Sequence, residues 1–101
     1  MRPNQNLRSN NGQYTLRFQC DQNLVLYGPN GSALWASNTY QSKGNVLIMQ
    51  TDGNLVMYNT AGSPIWATNT YGHRGCSLNL LDTGVLEVVT SHNGVLWSKG
   101  A

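Results

Sequence analysis

Two stretches of the chain carry the same five side-chain types at every second position. The order is glutamine, aspartate, asparagine, valine, tyrosine. The residues are Gln19, Asp21, Asn23, Val25 and Tyr27 in the first stretch, and Gln50, Asp52, Asn54, Val56 and Tyr58 in the second. A carboxylate accepts hydrogen bonds and an amide both donates and accepts them, while valine and tyrosine add apolar surface. This combination suits the hydroxyl groups and ring carbons of a neutral pyranose.

The every-second-residue spacing predicts a strand, because successive side chains of a strand point to opposite faces of the sheet. We interpret Gln19–Tyr27 as one strand whose five ligand-type side chains share the outer face, in a row of roughly 13 Å at about 3.3 Å per residue. The residues predicted to face inward are Cys20, Leu24, Leu26, Leu55 and Met57. The alternative is a polar face that only meets water, but this does not explain the same five types twice in one register.

Landmarks recur along the whole chain at one period. Trp35, Trp66 and Trp97 lie 31 residues apart, and three leucines, Leu16, Leu47 and Leu78, follow the same spacing. We therefore predict one domain over residues 1–101, with repeat units of approximately 8–38, 39–69 and 70–101. A single small sheet is marginal by itself, so the three units must pack together to fold.

Composition favours strands over helices. Glycine is 11 of 101 residues, alanine, glutamate and lysine are scarce, and leucine, valine, tyrosine, tryptophan and threonine suit a pleated sheet. Turn sequences separate the apolar runs at Gly28–Gly31, Thr60–Pro64 and His92–Gly94. We predict an all-β fold of three small antiparallel sheets around a pseudo-threefold axis, with the tryptophan and leucine positions at the centre.

Charge and hydropathy exclude several classes of function. The net charge is +2 and charged residues are 10% of the chain, against about 25% in an average domain. So few cations do not favour nucleic-acid binding, and no apolar run is long enough to span a membrane. Met1 precedes a polar run, Arg2–Asn6, so we see no signal peptide and expect a mature chain or one made without a cleaved leader.

No catalytic or metal-binding constellation is visible. The acids are Asp21, Asp52, Asp82 and Glu87, and no second carboxylate lies in register beside Asp21 or Asp52, as a glycosidase would need. The other candidate groups, which lack any close-spaced ligand pair, are Cys20, Cys76, His73 and His92. We expect no enzymatic activity, no metal and no cofactor.

The third unit departs from the pattern. The five ligand positions are occupied by Leu81, Thr83, Val85, Glu87 and Val89, while Leu86 and Val88 keep the inward pattern. We predict a structural sheet without a sugar site. Its exposed apolar face calls for a protein contact, a terminal segment or a non-sugar ligand, unless scattered apolar residues are simply tolerated there.

Both stretches match a nine-residue signature, Gln-x-Asp-x-Asn-x-Val-x-Tyr, and through it the chain resembles the bulb-type (monocot-type, snowdrop-like) mannose-binding lectins. The flanking stretches Trp35–Thr39 and Trp66–Thr70 look like the same family, and the resemblance covers nearly the whole chain. It implies a β-prism II fold of three four-stranded antiparallel sheets. It also implies calcium-independent binding of mannose and high-mannose glycans, with one shallow site per intact signature.

The resemblance also implies a role for each ligand. The signature Gln, Asp and Asn side chains would bond the axial 2-hydroxyl and the 3-hydroxyl, Tyr the 4-hydroxyl, and Val would contact ring carbons. The implied partners are mannose-containing glycans and glycoproteins, which favours a secreted or extracellular-acting protein. The rival hypothesis is a protein-interaction or toxin and defence module of the same fold, with sugar binding reduced or lost.

Two further features of the family remain open alternatives. The family often has a disulfide, so Cys20 and Cys76 are candidates for one. Two buried free thiols are the other interpretation, because Cys20 directly follows the signature Gln. Family dimers often exchange terminal strands, and a homodimer is one alternative here, although few residues follow Trp97.

Overall fold

The computed structural model describes residues 1–92 and 94–100 and is built from strands. In chain order these are β1 (Asn6–Arg8), β2 (Thr15–Phe18), β3 (Leu24–Tyr27), β4 (Ala33–Ala36), β5 (Gly44–Met49), β6 (Leu55–Asn59), β7 (Pro64–Ala67), β8 (Ser77–Leu80), β9 (Val85–Val89) and β10 (Val95–Gly100). No helix in this part of the chain is long and apolar enough to cross a bilayer. The predicted turn at residues 92–94 includes Asn93, which lies outside the described residues.

The strands form three antiparallel sheets, which confirms the all-β, three-sheet prediction. Sheet one has the order β1-β2-β3-β4, sheet two β5-β6-β7 and sheet three β10-β9-β8. The expectation of four strands in every sheet is wrong for sheets two and three over the described residues. Asn38 and Asn69 stand 31 and 62 residues after Leu7 of β1, and both are left-handed, at φ 58° and 59°, which interrupts the segments that correspond to β1.

The β5 edge of sheet two is covered by a single residue. The Leu47 amide donates to the Met1 carbonyl at 2.7 Å, and the Met1 amino group donates to the Leu47 carbonyl at 2.7 Å. Burial, followed by the charge of Arg2, lowers the pKa of that amino group. One bridging residue therefore stands where the family resemblance implied a strand.

The core lies between the inner faces of the three sheets. Its fully buried residues include Leu16, Phe18, Leu24, Leu26, Leu55, Met57, Leu86 and Val88. The inward positions predicted from alternation are thus right for the aliphatic residues. The three tryptophans are half-buried and contact one another, with ring centroids 5.7 Å (Trp35–Trp66), 5.4 Å (Trp35–Trp97) and 5.9 Å (Trp66–Trp97) apart.

The interpretation of Gln19–Tyr27 as one strand is wrong. β2 ends at Phe18 and β3 begins at Leu24, and the Gln19 amide donates to the Asn23 carbonyl at 2.9 Å to close a three-residue loop. Gln22 occupies the left-handed region of this loop, at φ 70°. The signal was present in the other units, because Gly53 and Gly84 hold the same position, at φ 91° and 89°.

The cysteine predictions are also corrected by this loop. Cys20 is exposed rather than inward-facing, because it lies in the loop and not in a strand. Its thiol donates to Asn4 Oδ1 at 2.7 Å, whereas the Cys76 thiol donates to the His73 carbonyl at 3.1 Å. Both cysteines are free, so the candidate disulfide between them is not formed.

The apolar face expected on sheet three is smaller than predicted. Leu81 is 38% exposed and Val85 is half-buried, but Val89 is only 5% exposed. Val89 sits in the central strand β9, paired with Ser77 of β8 on one side and Val95 of β10 on the other. Neighbouring strands thus cover one of the three residues predicted to face solvent.

Candidate functional site

A β-hairpin, rather than one strand, brings the ligand-type side chains of the first stretch together. Gln19 follows β2, Asp21 lies in the loop, Asn23 precedes β3, and Val25 and Tyr27 lie within β3. The second stretch folds the same way between β5 and β6. We call the first set (Gln19, Asp21, Asn23, Val25, Tyr27) the first site and the second set (Gln50, Asp52, Asn54, Val56, Tyr58) the second site.

The glutamine and tyrosine of each site are joined across the hairpin. Gln19 Nε2 donates to the Tyr27 hydroxyl at 2.5 Å, and Gln50 Nε2 donates to the Tyr58 hydroxyl. The phenol accepts in this bond and keeps its own proton, so it remains able to donate to a ligand. The amide keeps its carbonyl oxygen as an acceptor, and each pair therefore presents one donor and one acceptor.

The aspartate of each site accepts a hydrogen bond from the loop through one of its two carboxylate oxygens. The Asn23 amide donates to Asp21 Oδ1 at 2.9 Å, and the Asn54 amide donates to Asp52 Oδ1 at 3.0 Å. Both aspartates are exposed. One carboxylate oxygen thus fixes the loop and the other remains available as a charged acceptor.

The asparagine of each site is oriented by the segment that directly follows β4 or β7. Asn23 Oδ1 accepts from the Thr39 amide at 3.2 Å and from Ser37 Oγ at 3.3 Å. Asn54 Oδ1 accepts from the Thr70 amide at 3.2 Å and from Thr68 Oγ1 at 3.4 Å. With the carbonyl held, the amide NH₂ is the free end of each asparagine and can only donate.

Sequence reasoning did not assign a role to these supporting hydroxyl residues. Thr39 and Thr70 are buried, and their Oγ1 atoms donate to the Gln22 carbonyl at 2.7 Å and the Gly53 carbonyl at 2.5 Å. They tie the tip of each hairpin to the segment that holds its asparagine. The signal was the repeat of Trp-Ala-Ser/Thr-Asn-Thr, which marked the family without indicating a function for its hydroxyls.

The valines form the floor of each site. Val25 is 4% exposed and Val56 is 3% exposed, so each offers only a small strip of apolar surface to a ligand. The two sites open onto shallow surface grooves. Gln19 and Tyr27 line one of about 470 Å³, and Gln50 and Asp52 line one of about 430 Å³.

The third hairpin keeps the backbone of the other two and lacks their ligands. The Leu81 amide donates to the Val85 carbonyl at 2.8 Å, and the Gly84 amide donates to the Leu81 carbonyl at 3.0 Å. Asp82 uses Oδ1 to accept from the Asn11 amide at 2.8 Å, which ties this loop to the segment before β2. Nowhere in residues 1–92 and 94–100 do three histidines, cysteines or acids gather as a metal ion would require.

The arrangement can bind hydroxyl groups but offers no acid–base pair. A sugar hydroxyl donates and accepts at once, so it fits a free carboxylate oxygen beside a free amide NH₂. A second hydroxyl fits the acceptor and donor that the glutamine and tyrosine present. Each site can therefore hold two or more neighbouring hydroxyls of one ring.

Comparison with solved structures finds strong likenesses over the whole chain. The chain is similar to a monomeric monocot mannose-binding lectin from Gastrodia elata, with 35% identity and a TM-score of 0.89, over 100% of this chain and 90% of that one. It is similar to a lectin from Allium sativum, with 30% identity and a TM-score of 0.78, over 98% and 91% of the two chains.

A third likeness comes from outside the monocots. A lectin from Mycobacterium smegmatis, described as a domain-swapped dimer, is 37% identical with a TM-score of 0.57, over 97% of this chain and 90% of that one. No model of a protein family matches the chain, and no curated protein sequence matches it.

Proposed function

Because this chain belongs to the bulb-type mannose-binding lectin family and is a carbohydrate-binding lectin, we propose that it binds mannose and high-mannose glycans at two sites without calcium. The observation that carries the proposal is the pair of matching hydrogen-bonded clusters. Each leaves free one carboxylate oxygen, one amide NH₂, one amide oxygen and one phenol proton.

The chemistry of binding follows from these free atoms. The carboxylate of Asp21 or Asp52 accepts from a sugar hydroxyl in a charge-assisted bond, and the neighbouring asparagine donates to the same or an adjacent hydroxyl. The glutamine and tyrosine bond the next hydroxyl along the ring. Since most partners are already held in place by the hairpin, little side-chain entropy is lost on binding.

Calcium independence is part of this proposal. In calcium-dependent recognition the metal ion coordinates the hydroxyl oxygens, whereas here side chains supply both the hydrogen-bond donors and the acceptors. A chelator should therefore leave binding unchanged. The third hairpin has no counterpart of these ligands and is proposed to be without a sugar site.

Each site alone is proposed to be weak. A shallow groove that makes a few hydrogen bonds to one sugar gives a Kd near millimolar, or about −4 kcal/mol. Useful affinity then comes from two sites on different sheets that engage a branched or glycan-dense surface. A homodimer would double that valency, and it stays a prediction of the sequence.

The pseudo-threefold axis is the structural part of the proposal. It is supported by the 31-residue spacing of the tryptophans and by their nearly equal centroid separations of 5.4 to 5.9 Å. Under this arrangement the first and second sites are equivalent positions on two of the three sheets.

Titration calorimetry with methyl α-mannoside in EDTA tests the function. We expect two sites per chain for the wild type, one for Asp21→Asn and one for Asp52→Asn, and none for the double variant. Asp82→Asn is the matched control, because it changes a carboxylate in the third hairpin and should leave both sites intact.

Absence of sugar binding by folded wild type would overturn the proposal. It would favour the rival function, a protein-interaction or toxin and defence module. The surface to examine then is sheet three, where Leu81 is 38% and Val95 55% exposed.

A further inference from the structure

The two sites differ at one position beside the signature glutamine. Arg17 lies two residues before Gln19, and Ile48 lies two residues before Gln50. The register is the same in both sheets, since Arg17 pairs with Val25 and Ile48 pairs with Val56. Both side chains are exposed. At this one matched position the first site therefore carries a cation and the second an apolar side chain.

A second arginine, Arg8, lies beside the first site on β1. Over the described residues, β1 has no counterpart in sheets two and three. Arg8 pairs with Thr15 and Asn6 pairs with Arg17, so the two arginines are diagonal neighbours on one face, at about 7–8 Å. Both are exposed, and both line the groove of about 470 Å³ that also contains Gln19 and Tyr27.

The two guanidinium groups are available for a ligand. In the described ranges, 1–92 and 94–100, no ion pair within 4.0 Å engages either of them. Asp21 lines a neighbouring depression with Cys20, and Arg17 and Gln19 line both this depression and the groove that holds Arg8. The lining of that groove includes two arginines and no acidic residue.

We propose that the first site selects mannosides that carry a tetrahedral oxyanion, a phosphate or sulfate ester, held by Arg8 and Arg17 while Gln19 and Tyr27 contact the sugar. Planar guanidinium groups bond such oxyanions through two parallel N–H donors, which a neutral side chain cannot do. The second site, with Ile48 at the matched position, takes the uncharged sugar. This inference rests on the proposed mannose binding.

The test isolates the first site in the Asp52→Asn variant. Calorimetry compares mannose with mannose 1-phosphate, mannose 6-phosphate and mannose 6-sulfate. We expect at least one ester to bind about fivefold tighter than mannose, since two partly exposed ion pairs contribute modestly. The preference should fall as salt is raised, and it should be lost on adding Arg17→Ile or Arg8→Gln, with mannose affinity unchanged.

Controls address the second site and the source of the anion. In the Asp21→Asn variant, the esters should bind no tighter than mannose, and adding Ile48→Arg should create a preference of about twofold.

Arg74, which lines a different groove with Met49 and Gln50, should be irrelevant to the first site. Arg74→Gln in the Asp52→Asn background should therefore keep the preference. Inorganic phosphate and glucose 6-phosphate probe anion binding without the mannose ring.

The outcomes separate this inference from the proposed function. Loss of all mannose binding by folded protein overturns both. Binding of mannose with esters that bind no tighter overturns only this inference. Binding of inorganic phosphate as tightly as the preferred ester also overturns it, because the arginines would then bind an anion without regard to the sugar. If mannose 6-phosphate is the preferred ester, equal binding of glucose 6-phosphate overturns it for the same reason.

Discussion

The aspartate and the asparagine of each site use one side-chain atom for a hydrogen bond within the protein and leave the other free for a ligand. Asp21 uses Oδ1 for the Asn23 amide, and Asn23 uses its carbonyl for Thr39 and Ser37. The internal hydrogen bonds thus determine which side-chain atoms stay free for a ligand. The donor and acceptor pattern of each proposed site is therefore set by hydrogen bonds within the hairpin and with the segment that follows its outer strand.

Thr70→Val tests this positioning at the second site. The change keeps the shape but removes the hydroxyl that donates to the Gly53 carbonyl, and it leaves that buried acceptor unpaired. We expect a loss of about 1–2 kcal/mol in the free energy of unfolding and weaker sugar binding at the second site only. Denaturant unfolding measures the first effect and calorimetry in the Asp21→Asn background the second.

Thr39→Val is the mirror-image control, because Thr39 holds the first hairpin by the same bond. It should weaken sugar binding in the Asp52→Asn background and leave the second site unchanged. A Thr70→Val chain that binds sugar at the second site with wild-type affinity would show that Asn54 does not depend on this support.

At the scale of elements, the hairpin loop is the unit that makes a site. Three loops share one backbone, closed by the bonds Gln19–Asn23, Gln50–Asn54 and Leu81–Val85. Only two carry the ligand side chains. Backbone conformation and ligand identity are therefore separable, and the third loop shows that the conformation does not require the ligands.

Gly53→Ala tests the loop conformation. Gly53 has φ 91°, and a Cβ there would lie 2.2 Å from the His73 carbonyl oxygen and 2.9 Å from that of Thr70. Both are backbone atoms that cannot swing aside. We expect a loss of at least about 2 kcal/mol in the free energy of unfolding, from the left-handed backbone and the overlap together. Thermal or denaturant unfolding measures it.

Gln22→Ala is the matched control for this substitution. Gln22 already adopts φ 70° with a side chain, so alanine introduces no new overlap and removes one hydrogen bond to the Cys20 carbonyl. We expect a loss of less than about 1 kcal/mol. Equal effects of the two substitutions would contradict the close approach of the His73 backbone to the second hairpin.

At the scale of the whole molecule, the sheets depend on one another. Each contributes leucines or valines to a common core and one tryptophan to the cluster in which the rings contact edge to face or tilted. A sheet of three or four short strands is marginal alone. Damage to the cluster should therefore weaken ligand binding at both proposed sites.

Trp66→Ala tests this dependence. Removal of the indole takes away its contacts with Trp35 and Trp97 and leaves a cavity, which should cost about 3–5 kcal/mol in the free energy of unfolding. Unfolding should remain one transition, with sugar binding at both sites lost together. Circular dichroism and calorimetry over temperature measure this. Tyr71→Ala, at a side chain that is 66% exposed, is the control and should change little.

An unchanged melting temperature in Trp66→Ala would show that the cluster does not hold the sheets together. Separate transitions for the two sites would show that the sheets unfold independently. Either result would contradict the view of the chain as one cooperative unit.

The sequence by itself determined the fold class, the candidate ligand residues and most of the core. Side-chain chemistry and periodicity are local properties, so alternation identified Leu24, Leu26, Leu55 and Met57 as buried, and repetition identified the ten candidate ligands. The 31-residue spacing also indicated that the chain is a set of similar units rather than an arbitrary β fold.

Only the tertiary structure decided how those residues meet. A continuous strand and a three-residue hairpin both place alternate residues near one another. The chain forms the hairpin with Gln22 in the left-handed region, a conformation that the glutamine residue type does not predict. The exposure of Cys20 and the burial of Val89 follow from neighbouring segments. So does the pairing of Arg8 with the first site, because contacts between residues distant in the chain leave no periodic trace in it.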